Sequence, residues 1–302
     1  MMRLFSSLLL SLLFAACATG PTKVTESIDR KGEAGVGQSA PIRITPQTIV
    51  LDARPAFEYS VAHVPGSVHV QWYLFSDPAR PGELHGDYFS LARRLSWMGI
   101  HPDSHVVVVG KGLNGGGEEG RVAWMLAFLG VSNVQFTELD SLKLRLTSLP
   151  EQNPPKSAPL WKPSIVEDLR ATREEVLFAI NNQAVHRPGA FKTGEPPVLY
   201  RFIDVRPVDD YLGREGFGAR HTVPNMDAVN IPWREFFHPD MRVKSEMASR
   251  LKEVGLLPEH RIIVLSEDGV SSGAVTMALR SLGFPKSANY AGGLTDLLSK
   301  KK

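Results

Sequence analysis

Cysteine is almost absent. The single one, Cys17, closes an apolar run at the amino terminus, and no other follows in 302 residues. One sulfur cannot make an intramolecular disulfide, so whatever folds after it is held by packing and hydrogen bonds alone. Long apolar stretches are equally scarce, because no segment beyond residue 16 approaches the ~20 residues that a membrane helix needs. An excess of one charge is missing too. The 34 Lys and Arg balance 32 Asp and Glu for a net +2, which gives no electrostatic argument for nucleic acid or for an acidic partner. A Gly-x-x-x-x-Gly-Lys-Ser/Thr phosphate loop is also lacking. What is present, 43% hydrophobic and 22% charged residues, describes a globular chain. Roughly 260 residues follow the amino-terminal region, enough for two domains.

The amino terminus reads as an export signal. Met1-Met2-Arg3 supplies a short positive start, Leu4 to Ala16 is a run of apolar and small residues, and Phe14-Ala15-Ala16-Cys17 closes it. The run is too short to remain as a membrane span. Its ending resembles a bacterial lipoprotein box, which implies that residues 1–17 are a signal peptide and that the Cys17 sulfur is alkylated with diacylglycerol. Ordinary cleavage after Ala18 is the alternative, and under either reading the mature chain has no free thiol. Ala18, in place of an aspartate, resembles the sorting pattern for the outer membrane. The expectation is therefore a bacterial cell-envelope protein, lipid-anchored to the membrane through Cys17 and facing the periplasm, with an envelope protein as a further partner. Residues 18–41, rich in Gly, Thr, Lys and Glu without hydrophobic period, are expected to be a tether.

Self-similarity organises the rest. Ile49-Val50-Leu51-Asp52-Ala53-Arg54-Pro55 recurs 152 residues later as Arg201-Phe202-Ile203-Asp204-Val205-Arg206-Pro207. Leu95 to Val109 recurs as Leu251 to Leu265, and Leu126 to Gly130 as Leu279 to Gly283. Three matches in the same order imply two homologous domains, expected at 42–150 and 168–302, joined by a stiff, proline-rich linker at 151–167. In each repeat a short apolar run ends in Asp-x-Arg. A His- and Pro-containing loop, an amphipathic helical stretch and a β-branched run (Val106–Val109; Ile262–Leu265) follow, and then a Gly- or Ser-rich loop opens a second helix. Ala274, Ala278, Leu279 and Leu282 share one face of that helix in the second repeat. Apolar strands alternating with helices predict α/β domains, each a parallel sheet covered by helices on both faces. Thr172 with Glu175 forms a capping box that starts the second domain's first helix.

Asp52-Ala-Arg54-x-x-x-Glu58-Tyr59 with His63-Val-Pro-Gly-Ser67, Asp204-Val-Arg206 with Asp210-Tyr211 and Asn230-Ile-Pro-Trp233, and Tyr290-Ala-Gly-Gly-Leu294 together resemble the tandem rhodanese domains of thiosulfate and mercaptopyruvate sulfurtransferases. The resemblance covers nearly all of residues 45–300. It implies two rhodanese-like domains and a six-residue loop after the second domain's β-branched strand. In active relatives that loop begins with a cysteine, and backbone N–H groups and a helix dipole point inward to hold a thiolate and then a persulfide. Here the loop is Ser266-Glu267-Asp268-Gly269-Val270-Ser271, with Ser266 at the nucleophile's position. Serine needs a base to be activated, no His lies in the loop, and an alkoxide has no useful persulfide chemistry. Glu267 and Asp268 add negative charge where relatives favour neutral or basic residues, which weakens anion binding.

The remaining candidates have plainer explanations. Asp52/Arg54 and Asp204/Arg206 are expected to tie strand ends to neighbouring loops. His63 and His221 belong to the family turn and are expected to satisfy local backbone groups. His101 and His105 lie in a loop, so no metal and no cofactor is expected. The first-domain loop Gly110 to Gly120 reads as a flexible surface turn before an anion cradle, Ser271 and Ser272 as helix caps, and Trp72, Trp97, Trp124, Trp161 and Trp233 as packing residues. The leading expectation is an envelope lipoprotein of sulfurtransferase fold that is catalytically inactive and works by binding a ligand or partner. The alternatives are an enzyme that repurposes the loop, with Ser266, Glu267 or Asp268 in acid–base roles, and a thiosulfate or mercaptopyruvate sulfurtransferase as similarity suggests.

Overall fold

The β-branched runs become inner strands of two parallel sheets, each flanked by helices. The computed structural model describes residues 42–149, 156–182 and 198–299. The expected signal peptide with Cys17, the tether and the first part of the linker lie outside the described residues. The first domain runs β1 (Ile49–Asp52), α1 (Ala56–Val61), β2 (Val68–His69), an antiparallel hairpin of β3 (Ser76–Asp77) and β4 (Arg80–Leu84), α2 (Tyr88–Trp97), β5 (His105–Gly110), α3 (Glu118–Leu129) and β6 (Asn133–Glu138). The second runs β7 (Arg170–Ala171), α4 (Arg173–Asn182), β8 (Tyr200–Asp204), α5 (Val208–Tyr211), α6 (Gly216–Arg220), β9 (Val229–Asn230), α7 (Met247–Glu253), β10 (Arg261–Leu265), α8 (Val270–Ser281), β11 (Ser287–Tyr290) and α9 (Gly293–Leu298). Strand order is β2-β1-β5-β6 in one sheet and β7-β11-β10-β8-β9 in the other. The repeat is therefore visible as the shared order β2-β1-β5-β6 and β9-β8-β10-β11, with β7 added at one edge. Among the described residues no helix is long and apolar enough to cross a membrane.

Alternation along the inner strands explains why both faces need cover. Val106 and Val108 enter one apolar cluster while Val107 and Val109 enter another; Ile262 and Val264 likewise separate from Ile263 and Leu265. The cluster that takes Val106, Val108, Ile262 and Val264 is common to both domains. Helices α3 and α8 fill it, and both are buried on nearly every side, so the single apolar face read for the second helix was too narrow. The two helices meet through small residues related by the repeat. A Cβ on Gly120 would stand 2.3 Å from the Cβ of Ala274, and one on Gly273 would stand 3.2 Å from the Cα of Arg121. Close backbone approach at this crossing lets two domains share one core.

Local signals account for several boundaries. The Asp87 carboxylate caps α2 by accepting the Ser90 N–H at 3.1 Å, a bond worth about 1 kcal/mol. The capping box at α4 forms only in half: Thr172 Oγ1 accepts the Glu175 N–H at 3.1 Å. The Glu175 carboxylate is drawn away to Arg261 at 2.8 Å, a stronger charged partner than a lone backbone N–H. The described part of the linker is irregular but packed. Trp161 is buried and donates its indole N–H to the Ile100 carbonyl at 3.0 Å, and Val166 N–H reaches the Phe128 carbonyl. Trp124 and Trp233 are buried as read, whereas Trp97 is 62% exposed under the guanidinium of Arg93.

Candidate active site

β10 delivers Ser266 to the carboxyl end of the second sheet, where two glycines make the loop possible. Gly269 has φ 79° and precedes α8, and a Cβ there would lie 1.9 Å from the Ala291 carbonyl oxygen. Gly293, at φ 61°, would place a Cβ 2.4 Å from the Glu267 carbonyl oxygen. Only glycine satisfies both the positive φ and the close approach. The Leu294 N–H donates to the Ser266 carbonyl at 2.9 Å and the Thr295 N–H to that of Glu267 at 2.9 Å. The Tyr290-Ala-Gly-Gly-Leu294 motif is thus the clamp that holds Ser266 to Ser271 in place.

Inside the loop, the serine hydroxyl is engaged on two sides. Ser266 is 2% exposed; its Oγ accepts the Gly269 N–H at 3.0 Å and lies 2.9 Å from Ser272 Oγ. Ser272 donates to Asn289 Oδ1 at 2.7 Å, and Asn289 Nδ2 donates back to the Gly269 carbonyl at 3.1 Å. Neither an imidazole nor a carboxylate is among these partners. Asp268, not Ser271 or Ser272, serves the start of α8, because its Oδ1 accepts the Val270 N–H at 3.0 Å. Ser272 is instead buried in the serine–asparagine chain, and Ser271 lies against Gly117. Although part of the Asp268 residue is exposed, loss of solvent at its carboxyl raises it above its usual range, opposed by the Val270 N–H and by Arg121. The loop's own carboxylate therefore takes a backbone N–H that an external anion would need. Glu267 projects to solvent.

The first domain covers this loop. Gly82, at φ 92° in the β3–β4 hairpin, would place a Cβ 2.6 Å from the Asp268 carbonyl oxygen and 2.7 Å from that of Ala291. Arg121, buried in α3, donates to the carbonyls of Gly82 and Gly269 and lies over the Trp124 ring at 4.4 Å. Burial pulls its guanidinium down to about 10, against the attraction of Glu83 and Asp268. At the turn of the hairpin Arg80 grips Asp296 through two bonds of 2.9 and 3.0 Å, and Tyr290 donates to the same carboxylate at 2.5 Å. Burial would raise Asp296, but these two donors outweigh it and hold the group below its usual range. The insert around Gly213 to Gly218 takes no part: Phe217 packs into the cluster on the second sheet's other face.

The other expected residues fall where local chemistry puts them. Asp52 receives Arg54 and Asp204 receives Arg206, each through Nε and Nη2, and both aspartates are buried. Arg54 continues to the Ala62 carbonyl, while Arg206 reaches Asp210 at 2.8 Å. His63 Nδ1 meets the Tyr59 carbonyl at 2.8 Å and stacks on that tyrosine; His221 Nδ1 meets Phe217 at 3.1 Å and stacks on the phenylalanine. Among the described residues no group of three or more His, Cys, Asp or Glu is placed to hold a metal ion.

Reading Gly110 to Gly120 as a flexible surface turn was wrong. Arg234 donates to the Leu113 and Gly115 carbonyls at 2.8 and 3.0 Å, and Gly112 lies close to the Pro239 carbonyl. This loop is the first domain's counterpart of Ser266 to Ser271, and the second domain covers it in return. The Glu119 carboxyl fills the space beside Gly110, where a Cβ would lie 2.2 Å from Oε2. It is fully buried, neither oxygen meets a well-formed hydrogen-bond partner among the described residues, and burial raises it to about 8 against the weaker pull of the Glu119 and Gly112 backbone N–H groups. Arg121, Glu119, Asn289 and Asp296 were missed in the sequence. The first two had a visible signal, two charged residues flanking Gly120 in an otherwise apolar helix.

Comparison with known proteins agrees with this architecture. The model of the rhodanese-like domain matches residues 40–139 and 191–300. A thiosulfate sulfurtransferase of Azotobacter vinelandii is 26% identical over 259 residues, 82% of this chain and 86% of that protein. One of Pseudomonas aeruginosa is 25% identical over 268 residues, 85% and 90% of the two chains. Among solved structures, a 3-mercaptopyruvate sulfotransferase of Escherichia coli superposes with TM-score 0.63 at 22% identity, covering 82% of this chain and 93% of its own. An anaerobic ergothioneine biosynthesis enzyme of Chlorobium limicola gives 0.64 at 14%, covering 84% and 63%.

Proposed function

Since the chain belongs to the rhodanese-like domain family, we propose that it is a lipid-anchored envelope member in which sulfur transfer has been lost and binding retained. The observation that carries this reading is the loop itself. Ser266 stands where relatives are expected to carry the nucleophilic cysteine, it is buried in a loop that Gly82 of the first domain approaches at Asp268, and the chain's one cysteine is Cys17. Persulfide chemistry requires a thiolate to attack the outer sulfur of thiosulfate while sulfite leaves; a serine hydroxyl bonded to Gly269 N–H and Ser272 offers neither the nucleophile nor a base. Asp268, already bonded to Val270 N–H, disfavours an anionic donor at the same place. Cys17 supports the anchor through the lipoprotein-like ending Phe14-Ala15-Ala16-Cys17, with the outer membrane, facing the periplasm, as its destination and an envelope protein as partner.

The names of the sulfurtransferase relatives favour a second reading, that this chain also transfers sulfur from thiosulfate or mercaptopyruvate. That reading needs a thiol supplied by another molecule. An enzyme that repurposes the loop is disfavoured, since no base hydrogen-bonds to Ser266. The test is formation of thiocyanate from thiosulfate and cyanide, and of persulfide from mercaptopyruvate, by the chain from Ala18 onward and by its Ser266→Cys variant. No turnover is expected from the unsubstituted chain. Turnover by it would overturn the proposal, whereas activity confined to the cysteine variant would show that one residue separates this loop from catalysis.

A further inference from the structure

Three cations on the first domain have no counter-charge among the described residues. Arg43, Lys143 and Arg145 are exposed and make no ion pair with a described residue. They alternate with Ile42, Ile44, Leu142, Leu144 and Leu146, whose side chains pack onto the outer core of the first sheet. With those apolar side chains packed inward, all three charges stand exposed. Beside them, α1 ends in an antiparallel bridge in which His63 and Thr147 exchange hydrogen bonds of 2.9 and 2.8 Å. Val61 and Leu149, two residues to the same end of that bridge, are 56% and 67% exposed, and Phe57, one turn earlier on α1, is 77% exposed. The carboxylates on these segments are few: Glu58 is engaged by Lys111 at 2.7 Å, which leaves Asp140.

Exposed aromatic and aliphatic side chains set among unpaired cations match one environment best, the interface of a membrane that carries anionic lipid. The point at which the described chain begins supports the same reading. Ile42 and Arg43 open the described residues on this face, and 24 residues separate them from Cys17. Even fully extended, that length reaches at most about 85 Å. We infer that the face formed by Arg43, Lys143, Arg145, Phe57, Val61 and Leu149 lies against anionic phospholipid, orienting the two domains on the membrane that holds Cys17. This rests on the lipid-anchor reading for its setting, but not for its chemistry, which the face supplies by itself.

The experiment separates the two. The chain from Ala18 onward, which keeps every residue of the three apolar cores and carries no lipid, is sedimented with vesicles of phosphatidylcholine alone and with vesicles containing phosphatidylglycerol. Mass spectrometry of the protein made from the whole gene reads Cys17 separately. Binding is expected only with phosphatidylglycerol, and the Arg43→Gln, Lys143→Gln, Arg145→Gln triple variant should bind about 100-fold more weakly, from about 1 kcal/mol for each cation at the surface. Phe57→Ser with Leu149→Ser should weaken binding without changing its dependence on anionic lipid. Indifference to phosphatidylglycerol, or an unaltered triple variant, overturns the inference. Lipid on Cys17 without vesicle binding would leave the anchor and remove the face; vesicle binding without lipid on Cys17 would do the reverse.

Discussion

Replacing Glu119 by Gln should stabilise the protein at neutral pH, although it removes a charge from the middle of the molecule. Glu119 is fully buried with no well-formed hydrogen bond to either oxygen among the described residues, and its carboxyl is raised to about 8 in the fold against 4.5 for the ordinary group. Glu118 and Glu138 add repulsion to the loss of solvent. A carboxyl raised in this way favours folding fully below its unfolded value, and the advantage drains away as pH rises through the folded value. Each pH unit between the two costs about 1.4 kcal/mol, so at pH 7 the wild type stands about 3 kcal/mol below what a permanently neutral group would give. Glutamine has the shape of the protonated acid and does not titrate. Urea unfolding of both proteins from pH 4.5 to 9 should show equal stability at the acid end and a gap of about 3 kcal/mol at pH 7, widening toward about 5 kcal/mol above pH 8. Other titrating groups are common to the two proteins and cancel in the difference. A gap that stays flat across this range, or a variant less stable at pH 7, would refute the argument.

Two further substitutions examine how the domains hold each other. Gly82→Ala forces a Cβ to within 2.6 Å of the Asp268 carbonyl oxygen at φ 92°, so it should cost about 1–3 kcal/mol in urea unfolding. The same variant carrying Ser266→Cys should react faster with a thiol reagent than the Ser266→Cys protein alone, because strand β4 has been lifted from the loop; equal rates would mean that the hairpin is not the cover. Arg206→Ala strands the buried Asp204 without its guanidinium and should cost about 3–5 kcal/mol, most of it from an uncompensated charge. A loss below 1 kcal/mol would show that water reaches the pair.

Much of the fold could be read before any coordinate was known, because its signals are local. Val106 to Val109 and Ile262 to Leu265 are β-branched runs that fit only a strand covered on both faces, and they sit in register with β1 and β8 as parallel neighbours. Asp52 with Arg54, and Asp204 with Arg206, are two residues apart, so their pairing needs only a strand end. Other readings failed where a distant partner decided the outcome. Glu175 was drawn from its capping box by Arg261, 86 residues away in sequence. Ser272 was turned from helix cap to buried donor by Asn289.

From the sequence alone come the duplication, the parallel sheets, the family's turn motifs and a second-domain loop built around Ser266 that contains no cysteine, since each depends on residue type and short spacing. Only the tertiary structure decided that each domain covers the other's loop, that Asp268 takes the backbone N–H an anion would need, and that Glu119 lies fully buried beside Gly110. Those outcomes follow from Gly82, Arg121 and Arg234 reaching across a core shared by α3 and α8. A contact between residues more than a hundred positions apart leaves no periodic mark on a chain; it exists only once packing has brought the two surfaces together.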